Sequence, residues 1–311
     1  MAKYIHATDL HGDISVLEHI ANSCDNVDAV FLTGDFNGGN NGLNALRNPE
    51  RLIKKNKGQY QAEFFKHVGV SPEKISELKP EEQEKLGSEL KQYVINRGYI
   101  DGLTDFKKPL EQIAQKTKIF GVTGNHDFYT IKDEKMGLGK YITFLDDTPA
   151  EQVGNQTIQG FNNSYEMTHG FSNLVPGVEK GVPFYLAGLP TKNKAEELNC
   201  LENIEKTYEG YGVTEEDVIK AQNYERNRLG NGKTDISLMH KSRQVKKFGM
   251  SDVADELFDR TTKFALVGHV HAPFVGYVNG TLEINPGQNN YAEITTNEEG
   301  YATNVKLYKV N

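Results

Sequence analysis

Five segments of this sequence share one arrangement: an apolar run of strand length ends in a turn that contains Asp, Asn or His. Such short apolar runs, bounded by turn residues, are typical of buried strands. Because ligands bind at the carboxyl ends of strands in open α/β sheets, the polar residues are expected to meet in one site. The apolar runs are 3–8, 28–33, 118–123, 235–239 and 263–268, and the polar residues after them are Asp9 with His11, Asp35, Asn125 with His126 and Asp127, His240, and His269 with His271.

The segments between these motifs differ in character. A helix is predicted after the first motif, because Ile14, Leu17 and Ile20 share one face, with Asp13 or Ser15 available as a cap. Two longer stretches, about 44–117 and 194–230, are rich in polar helix formers and are predicted to be helical insertions. The tail from 274 to 310 alternates apolar and polar residues around turn sequences, which predicts hairpins. We therefore predict one α/β domain over 1–311, whose insertions either cap the site or pack on the outside.

Composition limits the classes of function. A net charge of −8 and a pI near 5.7 argue against a broad nucleic-acid surface, which needs an excess of basic residues. Cys24 and Cys200 lie far apart without metal-finger spacing, which favours a reducing compartment. No apolar run approaches the roughly 18 residues needed to cross a bilayer. We expect a cytoplasmic protein that acts on a small substrate, without a membrane partner.

The polar residues of the motifs are of the types that bind divalent metals. Imidazole and carboxylate suit Zn, Fe, Mn, Ni or Co, and thiolates are absent from the motifs. The pairs Asp9/His11 and His269/His271 are each two residues apart, so in extended backbone both members point to the same side. Seven of the nine polar residues, taken as candidate ligands, are too many for one tetrahedral ion but suit two ions, roughly 3.5–4 Å apart, that share a carboxylate.

The order DLHGD, GD, GNHD, a lone His after a strand, and GHVH resembles the calcineurin-like metallophosphoesterase superfamily. This resemblance implies a β-sandwich of two mixed sheets flanked by helices. It implies two divalent cations, with Mn²⁺ expected first and Fe, Zn or Ni as alternatives. The first cation would be bound by Asp9, His11 and His271, and the second by Asn125, His240 and His269, with Asp35 bridging. The resemblance also implies that His126 protonates the leaving oxygen and that Asp127 helps to orient it.

Two departures from the family pattern bear on the substrate. The carboxylate that follows the GD motif in phosphoprotein phosphatases is missing after Asp35, so Ser/Thr phosphatase activity is not expected. His240 is followed by Lys241-Ser242-Arg243, where many relatives have Gly and Pro. Arg243 is a weak candidate for substrate binding, and a solvated surface charge is the favoured alternative.

The predicted function is hydrolysis of a phosphodiester or phosphomonoester, on a nucleotide-like or small phosphorylated substrate, by hydroxide bound between two metals. One alternative is a nuclease of the DNA-repair type from the same superfamily. Another is a scaffold protein that kept the fold and lost catalysis. The sequence indicates no oligomeric state. No role is assigned to His19, His67 or His169, and His6 is expected to be an ordinary strand residue.

Overall fold

The computed structural model describes residues 1–36, 49–124, 127, 129–135, 137–146, 148–161, 234–242, 262–278 and 280–310. Four predictions lie outside these residues: the positions of Asn125, His126 and Arg243, and the helical insertion at 194–230. None of the helices in the described ranges combines the length and apolarity needed to cross a membrane.

The described strands form two sheets. They are β1 (Lys3–Ala7), β2 (Ala29–Thr33), β3 (Lys118–Val122), β4 (Thr143–Phe144), β5 (Glu151–Val153), β6 (Gln156–Phe161), β7 (Ile236–Lys241), β8 (Phe264–Gly268), β9 (Phe274–Val278), β10 (Thr281–Asn285), β11 (Asn290–Thr296) and β12 (Ala302–Lys309). The first sheet has the order β12-β11-β1-β2-β3-β4, and the second has the order β5-β6-β7-β8-β10-β9.

Each sheet is mixed, with parallel strands in its centre. β1, β2, β3 and β4 run parallel, whereas β11 pairs antiparallel to both β1 and β12. In the second sheet β6, β7, β8 and β10 run parallel, and the antiparallel strands β5 and β9 pair with β6 and β10. The predicted two-sheet mixed sandwich and the predicted β-rich tail are confirmed.

The register of the parallel strands brings the polar motifs to one edge. Ala7 lies beside Leu32, and Thr33 lies beside Val122, so the turns that follow these strands leave the first sheet at the same level. In the second sheet Lys241 lies beside Gly268. Strands of the two sheets also contact one another, because β2 packs on β7 and β8. The polar ends of both sheets therefore face one region.

Helices cover the outer face of the first sheet. The described helices are α1 (Ser15–Ser23), α2 (Pro49–Val68), α3 (Pro80–Gly102) and α4 (Thr104–Ala114), with 3-10 helices at Pro72–Glu77 and Tyr129–Lys132. The prediction of several helices in 44–117 is confirmed. Helix α4 packs on α1 and β3, whereas α3 contacts α2 and the 3-10 helix that follows the GNHD motif.

The start of α1 differs from the sequence expectation. Its N-cap residue is Ile14, which makes no side-chain cap, so neither Asp13 nor Ser15 occupies the N-cap position. The Asp13 carboxylate still accepts the backbone N–H of Ser15 at 2.9 Å, which satisfies one of the free donors of the first turn. The buried face consists of Val16, Leu17, Ile20 and Ala21, which have helical spacing.

Two apolar layers enclose the first sheet. One lies between this sheet and helices α1 and α4, and includes Ile5, Leu17 and Leu110. The other fills the sandwich between the two sheets, and includes Tyr4, Phe31 and Leu266. Side chains alternate in direction along a strand, so His6 shares the sandwich-facing side of β1 with Tyr4.

Candidate metal centre

The structure brings six of the seven predicted ligands together at the polar edge of the sandwich. They form two groups, and within each group the ligand atoms lie within 4.8 Å of one another. Asp9, His11 and His271 form the first group, and Asp35, His240 and His269 form the second. The seventh, Asn125, lies outside the described residues.

In the first group, two imidazoles face each other beside one carboxylate. The Nε2 atoms of His11 and His271 are 3.0 Å apart. They lie 3.8 and 3.7 Å from the same oxygen of Asp9, Oδ1. The side chain of Asp9 is fully buried, whereas that of His271 is 52% exposed. A buried carboxylate, the largely buried imidazole of His11 and the exposed imidazole of His271 together are a donor set that fits a divalent cation open to solvent on one side.

In the second group, Asp35 lies between the two sets of histidines. Its Oδ2 atom is 3.2 Å from Nε2 of His240 and 3.9 Å from Nε2 of His11, which belongs to the first group. The His240 and His269 rings are in edge contact, with centroids 5.2 Å apart. A carboxylate in this position is within reach of both groups, as a bridging ligand must be.

A backbone carbonyl selects the tautomer of His240. Its Nδ1 atom is 2.7 Å from the carbonyl oxygen of Thr33. A carbonyl only accepts hydrogen bonds, so Nδ1 must donate the proton. In neutral His240 the lone pair is then on Nε2, the nitrogen that faces Asp35. This is the arrangement found for metal-ligating histidines, whose other ring nitrogen is held by a hydrogen bond.

The buried charges of the site favour a cation. Burial, together with the nearby Asp35, raises the pKa of Asp9 to about 6, although His240 and His271 act in the opposite direction. Burial alone would lower the pKa of His240, but the adjacent Asp35 and Asp9 raise it to about 9. Two buried carboxylates thus repel each other and attract positive charge, which is the electrostatic requirement of a cation site.

Backbone strain is concentrated at the candidate ligands. Left-handed φ angles are uncommon for non-glycine residues and, at functional sites, cost of the order of 1–3 kcal/mol each. Backbone hydrogen bonds hold two loops against each other, from His11 N to the Asp35 carbonyl and from Gly12 N to the Phe36 carbonyl, both 2.8 Å long. The ligands with positive φ are Asp9 at 52°, His11 at 47°, Asp35 at 52° and His269 at 66°.

The glycines that precede the ligands permit close approach of the loops. A Cβ atom on Gly124 would overlap the carboxylate and the backbone nitrogen of Asp35. A Cβ atom on Gly268 would overlap the hydroxyl of Thr8. Glycine at these positions is therefore a packing requirement of the site, in addition to its role in turns.

Comparison with known proteins agrees with this geometry. The calcineurin-like phosphoesterase superfamily domain matches residues 79–304. The chain belongs to the calcineurin-like phosphoesterase superfamily. Phosphoester hydrolysis is the general activity of this superfamily, and its members typically use a centre of two metals. No curated protein matches the sequence.

Solved structures are similar to this chain at low sequence identity, and the first of them, at a TM-score of 0.50, shares its fold. One crystal structure is 16% identical, with a TM-score of 0.50 over 99% of both chains. A candidate 5'-nucleotidase from Staphylococcus aureus, in complex with alpha-ketoglutarate, is 14% identical with a TM-score of 0.43, and the match covers 99% of this chain and 54% of that one. The phosphopantetheinyl hydrolase of Mycobacterium tuberculosis is 13% identical with a TM-score of 0.40, over 92% and 89% of the two chains.

Asp127 connects two loops of this superfamily member. Its buried carboxylate accepts the backbone N–H of Phe36 at 2.9 Å and that of Gly124 at 2.8 Å. These bonds tie the loop after β3 to the loop after β2, on which Asp35 lies. The predicted influence of Asp127 on His126 stays a prediction, and the observed contacts assign Asp127 a part in holding the loops together.

Asp146 anchors the same loop from outside the motifs. Its carboxylate accepts the N–H of Thr123 at 3.1 Å and the hydroxyl of Thr123 at 2.5 Å, and it lies 3.1 Å from Nζ of Lys132. Burial alone would raise the pKa of Asp146, but Lys132 and the two Thr123 donors hold it below its usual value. Thr123 precedes the GNHD motif and Lys132 follows it, so this carboxylate holds both flanks of the motif.

The sequence reasoning missed three further residues beside the site. The Thr8 hydroxyl donates to Asp9 Oδ2 and to the Thr33 carbonyl, both at 3.0 Å. The buried His6 ring is 2.9 Å from the Thr33 hydroxyl. Asp146 comes after β4, outside every motif. His6 does leave a trace in the sequence, because it lies within a short, largely apolar strand, where a buried polar side chain is unusual.

Proposed function

We propose that this protein is a metal-dependent phosphoesterase that hydrolyses a phosphodiester or phosphomonoester in a nucleotide-like or otherwise small phosphorylated molecule. The observation that supports the proposal is the meeting of six Asp and His side chains in two adjacent groups, with Asp35 within reach of both. Superfamily membership supports phosphoester chemistry in general, and the acidic composition supports a small substrate over a nucleic acid.

The described residues fit two divalent cations. Asp9, His11 and His271 would hold one, and His240 and His269 the other, together with the predicted ligand Asn125, with Asp35 shared. When bound, such cations neutralise phosphate charge and lower the pKa of a coordinated water. The ligand set of carboxylates and imidazoles accepts Mn²⁺, which we propose first, and also Fe, Zn or Ni.

The chain itself supplies orientation and proton transfer. The Thr33 carbonyl holds His240 in the tautomer whose Nε2 faces Asp35. The backbone N–H of His269 donates to both oxygens of Asp9, at 3.1 and 2.9 Å, and thereby fixes the plane of that carboxylate. We propose that the imidazole of His126 donates its proton to the leaving oxygen, a role taken from the family pattern.

Two alternatives have less support. A DNA-repair type of nuclease would need a positively charged surface for the phosphate backbone, and the net charge of the chain is −8. A scaffold that has lost catalysis would not be expected to keep this ligand set, of which six members lie in two compact groups. A salt-dependent DNA-binding assay would separate the nuclease from an enzyme that acts on small molecules.

The test combines metal analysis with turnover. Protein stripped with a chelator and reloaded with Mn²⁺ is expected to bind two ions per chain by elemental analysis. It is also expected to hydrolyse bis-p-nitrophenyl phosphate or p-nitrophenyl phosphate. His271→Ala should lower turnover by at least about 100-fold, in line with the loss of a direct metal ligand or its support. His19→Ala, at an exposed helix position, is the matched control and should retain full turnover.

The proposal fails if the reloaded wild-type chain binds no metal, or if it binds metal and hydrolyses neither ester nor any member of a substrate screen. That screen contains phosphomonoesters, cyclic nucleotides, dinucleotides and phospholipid head groups. His126→Ala should slow turnover while metal content stays at the wild-type level. Unchanged turnover in this variant would remove the role of His126 as the acid.

A further inference from the structure

Asn285 is a fully buried amide that connects two loops next to the candidate metal centre. It is the last residue of β10. Its Nδ2 donates to the carbonyl of Val270 at 2.8 Å and lies 3.5 Å from the carbonyl of Gly268. Its Oδ1 accepts the backbone N–H of Gly287 at 2.8 Å. The side chain thus uses both its donor and its acceptor, one towards each loop.

The loop that Asn285 holds is the 268–271 turn with its two histidines. His269 has a left-handed φ of 66°, and the N–H of Val270 bonds back to the Gly268 carbonyl at 2.8 Å. Such a conformation persists only when surrounding contacts impose it. On one side the contact is Asp9, which accepts the His269 N–H. On the other side it is the amide of Asn285.

The neighbouring 286–288 loop adds support at the end of the turn. The N–H of Gln288 donates to the His271 carbonyl at 3.1 Å. Gly287 has a φ of 73°, and a Cβ atom there would come within 2.7 Å of the same carbonyl oxygen. The 268–271 turn is therefore held between Asp9 and the 285–288 segment.

This turn supplies one candidate ligand to each metal group. His271 belongs to the group of Asp9 and His11, and His269 to the group of Asp35 and His240. We propose that Asn285 is a positioning residue for the metal centre, whose amide sets the places of both histidines at once. The inference rests on the proposed function, since it assumes that the two groups bind cations.

The Asn285 side chain allows a substitution that removes its donor and keeps its acceptor. In Asn285→Asp, the carboxylate can still accept the Gly287 N–H, but it cannot donate to the Val270 carbonyl and repels it instead. The matched control is Gln156→Glu. Gln156 is also buried, its Nε2 donates to the Gly300 carbonyl at 2.7 Å, and its Oε1 accepts the Tyr4 hydroxyl. Both variants thus remove a buried amide-to-carbonyl bond and keep an acceptor oxygen, but only the first removes bonds to the 268–271 turn.

The experiment measures metal affinity. Metal-free wild type, Asn285→Asp and Gln156→Glu are titrated with Mn²⁺ by calorimetry, below the unfolding temperature of each as checked by circular dichroism. Asn285→Asp should weaken the binding of both equivalents by about 10–100-fold, as for other residues that orient ligands. Gln156→Glu should stay within about threefold of wild type, because it changes no bond to the 268–271 turn. Asn285→Ser, which shortens the side chain without adding charge, is titrated in parallel in case the Asp variant does not fold.

The possible outcomes separate the two proposals. If the variants at 285 unfold at lower temperature but bind both equivalents as tightly as wild type, Asn285 is structural and the inference is wrong. The inference is also wrong if only one equivalent is weakened. If wild type itself binds no Mn²⁺, the proposed function fails and the inference fails with it. If wild type binds two ions and hydrolyses a phosphate ester, the function stands whatever happens at Asn285.

Discussion

Below neutral pH, the free energy of unfolding of this protein should depend measurably on His6, the buried histidine of β1. The ring of His6 is fully buried, and its Nε2 lies 2.9 Å from the Thr33 hydroxyl. Within the described part of the chain, its Nδ1 has no hydrogen-bond partner. Burial lowers the pKa of His6 from the ordinary 6.5 to about 3, because the imidazolium would lose its hydration.

The sign of the effect follows from which state takes up the proton. Below pH 6.5 the unfolded chain protonates His6, whereas the folded chain resists protonation until about pH 3. The stability contributed by neutral His6 is therefore fully present above pH 6.5, and it is lost progressively as the pH falls from 6.5 towards about 3. One pH unit corresponds to about 1.4 kcal/mol, so about 2 kcal/mol should be lost by about pH 5.

The assay compares wild type with His6→Gln, which keeps a polar group near Thr33 but does not titrate. Free energies of unfolding are measured by urea titration of metal-free protein at about pH 7.5 and about pH 5. The difference in free energy between the two proteins should fall by about 2 kcal/mol between these pH values. Contributions from the other titrating groups cancel in the difference, since both proteins contain them.

His19→Gln serves as the control, because His19 is exposed on α1. The difference between wild type and this variant should change by less than about 0.5 kcal/mol over the same range. A difference between wild type and His6→Gln that stays constant from about pH 7.5 to about pH 5 would refute the reasoning. It would mean that the folded protein protonates His6 as readily as the unfolded chain does.

Two further predictions concern the loop after β3. Asp146→Asn removes the buried negative charge that lies 3.1 Å from Nζ of Lys132, whose side chain is only 8% exposed, and should lower the free energy of unfolding by about 3–5 kcal/mol in a urea titration. Adding Lys132→Met to Asp146→Asn should recover part of that loss. A loss below about 1 kcal/mol in Asp146→Asn alone would show that the ion pair is not effectively buried. Gly124→Ala pushes a methyl group into Asp35 and should weaken Mn²⁺ binding by at least about 10-fold in calorimetry. Gly276→Ala is the control, because a Cβ atom there meets no atom within 4 Å, and it should bind Mn²⁺ like wild type. Equal Mn²⁺ affinities in Gly124→Ala and Gly276→Ala would contradict the packing argument.

Local pattern was sufficient for the strands that precede the polar motifs, for helix α1 and for the family, but it did not predict strands β4, β5 and β6. The apolar runs before Asp9, Asp35 and His269 are short and bounded by turns, and each is a strand in the structure. The helical face with Leu17 and Ile20 is buried as its spacing predicts. Periodicity and turn chemistry act over a few residues, so a single chain displays them directly. The fine placement of a helix start does not follow from pattern alone, as Ile14 at the N-cap of α1 shows.

The sequence by itself determined which side chains are available to the site and in which order they occur. It also predicted that the ends of parallel strands would bring them to one edge. Which atoms meet there was decided only by the tertiary structure. Three sets of contacts join residues that are not neighbours in sequence. Asn285 donates a hydrogen bond to Val270, and Asp146 accepts one from Thr123 and pairs with Lys132. The Thr33 carbonyl accepts a hydrogen bond from His240. Such contacts depend on the register of two packed sheets and on the approach of loops within a few ångströms, and these follow from the packing of the whole core.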